Sequence, residues 1–410
     1  MDQRLNEYAK LLVSTGVAIR EGQKLLINCP IEHYAFARMV CEEAYKAGAS
    51  EVIIKYNDEK VSRLTYEYAP IEVFENFPSW KADELNTYAK EDVAFLHLIG
   101  RDPEALKGID IAKVKAGQRA AYEPLKPYRK LQTSMSFKWC IAALATDSWA
   151  SKVYPELSVD EAKNKLWENI FATMRISGDN TSEEKWNKHA DDLEARCKTL
   201  NSWKLKELHY TNSLGTDFTV GLVDGHIWEG GADKDKVTGR RCYANMPTEE
   251  VFTMPHSHKA EGKLVAALPL SYQGNLIKDF YFIFKDGEVV DYDAKEGKES
   301  LKGLLESDEG SRRLGECALV PYPSIIAQQG ILFLETLFDE NASCHFALGN
   351  CYESNIENGS NLSEEEMKEK GANTAINHVD FMVGTPDLRI EGVKENGEKV
   401  LVFENGAWAF

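Results

Sequence analysis

No uninterrupted apolar run in the 410-residue sequence approaches the ~20 residues that a bilayer-spanning helix needs; the most apolar windows, such as Val93 to Gly100, are strand-sized. Paired cysteines are also missing. The eight thiols, at 29, 41, 140, 197, 242, 317, 344 and 351, are scattered without a C-x-x-C pair, which suits reduced thiols in a cytoplasm better than a disulfide framework or a zinc knuckle. Met1 to Arg20 opens with charged residues and lacks the apolar centre of a signal peptide, so export is not expected. The N-x-S sequences at Asn180, Asn341, Asn358 and Asn361 therefore carry little weight. Positive charge is short, with 48 Lys and Arg against 66 Asp and Glu and a net charge of −18. That field opposes nucleic acid and anionic membrane surfaces as partners, because phosphate neutralisation needs clustered cations. There is no G-x-x-x-x-G-K-[ST] loop, no G-x-G-x-x-G after the first strand-like run, no G-x-S-x-G elbow and no H-E-x-x-H helix.

What is present describes a globular chain, 43% hydrophobic and 28% charged, long enough for two domains or one large one. In the first half, apolar runs at Lys24 to Cys29, Glu51 to Tyr56, Val93 to Gly100 and Trp139 to Ala145 alternate with helical stretches. One such stretch, His33 to Ala47, stops at Gly48, a natural C-cap. Continuous apolar strands separated by helices predict an open α/β domain with a mainly parallel sheet covered on both faces. The charge-rich stretch from Ser182 to Leu208 predicts a long surface helix, and the boundary is placed near residue 200. In the second half, short β candidates at Asp217 to Val223, Lys263 to Tyr272, Asp279 to Phe284, Glu288 to Tyr292, Leu388 to Val393 and Lys399 to Phe403 are joined in two places by the hairpin signals Asp286-Gly287 and Asn396-Gly397. Helical pattern is confined to Lys295 to Ser307 and Ser363 to Lys370. Residues 201–410 are thus expected to form an α+β domain rich in antiparallel strands, beside an α/β domain over 1–200.

The second half also carries polar residues in apolar surroundings. His378 and Asp380, two apart in a strand-like run, share one face of a strand. Phe338 to Tyr352 holds Asp339, Glu340, His345 and Tyr352; Glu316 sits inside LGECALV, and Glu250, beside Glu249, inside ANMPTEEVFTMP. Each residue alone has an ordinary explanation, such as a hydrogen-bonded core histidine or a carboxylate bonded to backbone amides, with Cys344 and Cys351 as small buried hydrophobes. Together, two Glu, two His, one Asp and one Tyr supply mixed oxygen and nitrogen donors. That set suits two zinc, cobalt or manganese ions better than calcium.

The segments MPTEEVFTMP, LGECALVP, TLFDENASCHFALGNCY and NHVDFMVG follow in the order and near the spacing of the aminopeptidase T, aminopeptidase S and PepS family of bacterial metallo-aminopeptidases, the thermophilic metalloproteases. The resemblance covers essentially the whole chain, including LLINCPIEHYAFARMVCEEAYKAGASEVIIKY and LGTDFTVGL. It implies Glu250, Glu316, His345, His378 and Asp380 as metal ligands, with Glu316 chosen as the bridge, and Tyr352 at the metals as a ligand or transition-state contact. It also implies a homodimer with a C-terminal catalytic domain. The expected reaction is hydrolysis of the N-terminal residue from peptides with a free N-terminus, using water held between two divalent ions, with proton transfer by Glu316 or, from further out, by Glu249 or Glu340. A dinuclear phosphoesterase stays open through the basic residues Arg312, Arg313 and Arg389, and so does a noncatalytic peptide-binding or scaffold protein.

Overall fold

A computed structural model describes residues 2–410. The chain forms two compact units: the part up to Asn187 with Ala232–Pro247, and Lys188–Gly231 with Thr248–Phe410. The expected boundary near residue 200 falls inside the helix Ser182–Trp203, along which one unit gives way to the other.

In the first unit the apolar runs form a parallel sheet in the order Glu51–Asn57, Lys24–Pro30, Ala94–Ile99, Trp139–Ala143, with Asn245–Met246 added in parallel at the far edge. The central strand Lys24–Pro30 buries Leu25, Leu26, Ile27 and Cys29 completely, as a strand covered on both faces must. Helix Tyr34–Lys46 presents Phe36, Ala37, Val40 and Ala44 at helical spacing to the interior. It gives way at Gly48, whose φ of +94° is the left-handed conformation expected there. Ser158 and Glu161 close a capping box at the start of helix Val159–Thr173.

The helix expected from Ser182 to Leu208 ends at Trp203; Lys204 turns with a φ of +48°, and Leu205–Thr211 is a strand. Nor is it merely a surface helix. Its few apolar residues, Trp186, Ala190, Leu193, Cys197 and Leu200, recur at steps of four and three, and all are buried.

The second unit contains two antiparallel-rich sheets. The larger, nine-stranded one includes the strands expected around residues 217–222, 275–296 and 389–404. Its Asp286-Gly287 turn has φ values of +51° and +78°, the hairpin geometry that Asp-Gly favours. The run expected from Lys263 to Tyr272 is broken between Val265 and Leu270, where Pro269 offers no ladder donor.

The five-stranded sheet has the order His378–Met382, His345–Gly349, Leu314–Leu319, Val251–Thr253, Glu229–Gly230, antiparallel throughout. Alternation divides its side chains. Val251, Cys317, Leu319, Phe346, Leu348 and Phe381 join the core shared with Phe218, Phe282 and Phe284 of the larger sheet. Ring contacts of 5.4 Å for Phe218–Phe346 and 5.0 Å for Phe282–Phe381 join the two layers. Each fully buried Phe contributes about 1.5–3 kcal/mol, so the register of these strands is strongly specified. The opposite face carries Phe252, Glu316, Ala318, His345, Ala347, His378 and Asp380.

Between Leu314 and Glu316 the register slips by one residue against the His345 strand, which makes Gly315 the bulge residue. A Cβ there would stand 2.2 Å from the Asn350 carbonyl oxygen and 2.3 Å from that of Gly349. Gly315→Ala is therefore expected to destabilise the protein by roughly 1–3 kcal/mol, the usual cost of forcing atoms into a packed interior. Urea unfolding should show a lower midpoint at unchanged slope; an equal midpoint would mean that the bulge has room to spare.

Candidate metal centre

The polar residues singled out in the sequence converge on that second sheet face. Register explains how: Glu316 lies opposite Ala347, which lies opposite Asp380, while His345 lies opposite Ala318 on one side and Met382 on the other. The small Ala318 and Ala347 leave the space into which the longer polar side chains lean. Ligand-type atoms of Glu250, Glu316 and His345 lie within 4.8 Å of one another, and so do those of Glu316, His378 and Asp380. Glu316 belongs to both groups.

The histidine hydrogen bonds decide what the cluster can accept. His345 Nδ1 donates to the Ser343 carbonyl at 3.1 Å, and His378 Nδ1 donates to the Asn350 carbonyl at 2.7 Å. These partners assign the Nδ1 proton, so each neutral imidazole turns its Nε2 lone pair toward carboxylates. His345 Nε2 is 2.9 Å from Glu250 Oε2 and 3.7 Å from Glu316 Oε1; His378 Nε2 is 3.2 Å from Glu316 Oε2 and 3.5 Å from Asp380 Oδ1. The short approach at Glu250 lacks hydrogen-bond alignment, which leaves Oε2 buried without a donor. Acceptors facing acceptors need a cation between them, either a proton on each Nε2 or a metal ion.

The electrostatics agree. Burial by itself disfavours imidazolium, yet Glu250 and Glu316 hold His345 well above its ordinary range, and Tyr352, Asp380 and Glu316 do the same for His378. Glu250 is raised by burial and by the charges of Glu316 and Asp380. For Glu316 and Asp380, burial pulls upward, but the imidazoles outweigh it and hold both below the usual range. Glu340, half-buried and hydrogen-bonded to Asp380, is raised well above it by burial and by the charges of Asp380 and Glu250. Tyr352 packs its ring 4.9 Å from His378 and 5.9 Å from Phe252. His378 favours its phenolate, but burial and the carboxylates Glu316, Asp380 and Glu340 prevail and keep the phenol protonated.

Other candidates lie elsewhere. Asp339 turns away and accepts the Phe333 amide at 2.7 Å. Glu249 lies 3.6 Å from His189 Nε2. Cys344 is buried as a small side chain, its thiol on the Val320 carbonyl. Arg312 donates to the Val289 carbonyl, Arg313 to the carbonyls of Ser257 and Asp286 and to Glu288, and Arg389 to Glu404 and Glu391, so these guanidinium groups are committed away from the carboxylate cluster. That removes the feature that kept a phosphoesterase open. The orienting carbonyls of Ser343 and Asn350 left no trace in the sequence, because every residue has a carbonyl. Phe252, two residues from Glu250 on the same face, was legible only through strand alternation.

Burial pushes the Asp339 carboxyl up to about 8, against the pull of the Phe333, Leu334 and Glu335 amides. Its folded value thus exceeds the unfolded 3.8, and the native state keeps a proton that the unfolded chain has released. This contribution to stability is complete at the acid end and is lost as pH rises from about 4 through 8. Relative to Asp339→Asn, the wild type should lose stability across that interval, as measured by urea unfolding at pH 5 and pH 9. A constant difference between the two proteins would contradict the assignment.

Residues 1–408 match the family described as thermophilic metalloprotease (M29). The chain is 42% identical over 408 residues to aminopeptidase AmpS of Bacillus subtilis (strain 168), covering 100% of this chain and 99% of that protein. It is 39% identical over 407 residues to aminopeptidase PepS of Streptococcus thermophilus, covering 99% and 98%. The solved structure of wild-type AmpT from Thermus thermophilus matches over 100% of both chains at 36% identity, with a TM-score of 0.92.

Proposed function

Because the chain belongs to the thermophilic metalloprotease (M29) family, we propose that it is a metallo-aminopeptidase, with two divalent ions held by Glu250, Glu316, His345, His378 and Asp380. The observation that carries this reading is the sharing of Glu316 between two donor triads, each with an imidazole lone pair aimed inward. Mixed nitrogen and oxygen donors favour zinc, cobalt or manganese over calcium. When bound, such ions lower the pKa of water from about 15.7 to roughly 7 and polarise a carbonyl oxygen.

The chain's own residues do the rest. Both Glu316 oxygens face imidazoles, and Glu249 lies beside His189, so neither is free to move a proton. Glu340 stands outside both triads, where burial and the neighbouring carboxylates raise its carboxyl well above the usual range and favour its holding a proton, and it is the group placed to pass a proton to the nitrogen of the leaving amine. Tyr352 keeps its phenol proton and donates it as a hydrogen bond to the carbonyl oxygen as negative charge develops there. The clustered carboxylates attract the cationic N-terminus of a peptide, and an amine held beside them sets the first peptide bond at the reacting position.

A homodimer, implied by the family resemblance, and a cytoplasmic setting, suited to eight free thiols, complete the proposal. No helix among the described residues is long and apolar enough to cross a membrane.

Tyr352→Phe is expected to lower kcat by roughly 10²-fold, as loss of an oxyanion donor does, with metal content unchanged. Unaltered kcat would return Tyr352 to a packing role. The activity itself is tested with a peptide and its N-acetylated twin, followed by mass spectrometry. The free peptide should lose residues one at a time from its N-terminus while the blocked one survives, since acetylation removes the amine's positive charge and basicity. Internal cuts in the blocked peptide would refute an exopeptidase.

A further inference from the structure

Asn341 belongs to one of the four N-x-S sequences, yet it is completely buried and its amide joins two distant stretches of chain. Its Oδ1 accepts the Glu249 amide N–H at 2.7 Å. Its Nδ2 donates to the Leu337 carbonyl at 3.1 Å and to Glu340 Oε1 at 3.4 Å. The five proposed ligands are not equally supported. Glu316, His345, His378 and Asp380 all lie within strands of the five-stranded sheet, and both histidines are further fixed by carbonyl acceptors. Glu250 alone precedes its strand, which begins at Val251. The backbone leading into it is tied by side chains rather than by a ladder.

We infer that Asn341 is a positioning residue that sets Glu250, and through it chiefly the ion site formed by Glu250, Glu316 and His345; the site formed by Glu316, His378 and Asp380 is reached from it only at one remove, through Glu340. The inference rests on the ligand assignment proposed above. Two side-chain hydrogen bonds hold that backbone, His189 Nε2 to the Thr248 carbonyl at 2.8 Å and the Glu249 amide to Asn341 Oδ1, and the second acts on the residue next to Glu250. Groups that orient a ligand in this way commonly contribute about 10 to 100-fold in metal affinity.

The test is calorimetric titration of the metal-free, full-length protein with Zn²⁺. Wild type should bind two ions per chain. Asn341→Ala should bind one ion about 10 to 100-fold more weakly and the other with a smaller loss. Glu250→Gln removes the ligand that Asn341 sets, so adding Asn341→Ala to it should weaken the remaining ion little further. Equal weakening at both sites, unchanged affinity at both, or a second loss of about ten-fold on adding Asn341→Ala to Glu250→Gln would each overturn the inference. Where Asn341→Ala fails to fold, Asn341→Ser takes its place and is read by the same outcomes. Wild-type protein that binds fewer than two ions would refute the ligand assignment itself, before any variant is compared.

Discussion

Three buried carboxylates, Glu250, Glu316 and Asp380, crowd one face of a small antiparallel sheet with two imidazoles whose lone pairs point among them, and the half-buried Glu340 joins them from the 3-10 helix Glu340–Ala342. Like charges so close to one another, away from water, would normally be expelled or neutralised. They are retained because the opposite face of the same strands is a continuous apolar layer. His345 cannot leave the pocket without drawing Phe346 and Leu348 out of the core, and Asp380 is tied in the same way to Phe381. Strand alternation thus transfers the stability of the core to a site that would not be stable by itself.

Backbone devices then set the spacing. The bulge at Gly315 shifts Glu316 by one position relative to the His345 strand, and without it Glu316 would not stand opposite Ala347. Ala347 and Ala318 are small where a larger side chain would fill the cavity. The carbonyls of Ser343 and Asn350 choose the tautomer of each histidine, which decides that nitrogen lone pairs rather than N–H groups face the carboxylates. None of these devices is itself reactive, yet each determines where a reactive group can be.

Much of the architecture was legible along the chain. The alternation of apolar runs and helical stretches in the first half points to the parallel sheet, and Asp286-Gly287 to a hairpin of the nine-stranded sheet, because these features depend on interactions between near neighbours. Two departures from the expected pattern share a cause. The composition of Ser182 to Leu208 predicts a surface helix, but the sparse apolar residues of Ser182–Trp203 form a buried seam at steps of four and three. The apolar run from Lys263 to Tyr272 predicts one strand, but Pro269 interrupts it. In both, the position of particular residues outweighs average composition.

The types of residue at the centre were determined by the sequence alone: two glutamates, two histidines, an aspartate and a tyrosine in apolar segments, with spacing that resembles one family. Their grouping was decided by tertiary structure, because Glu250, Glu316, His345 and the pair His378 and Asp380 come from four segments that meet only through strand pairing. So were the separation of Asp339 from Glu340, adjacent in sequence but turned to different partners, and the role of Asn341. A side chain's donors and acceptors are fixed by its chemistry, but which of them is satisfied depends on atoms tens or hundreds of residues away. That information exists only once the chain has folded.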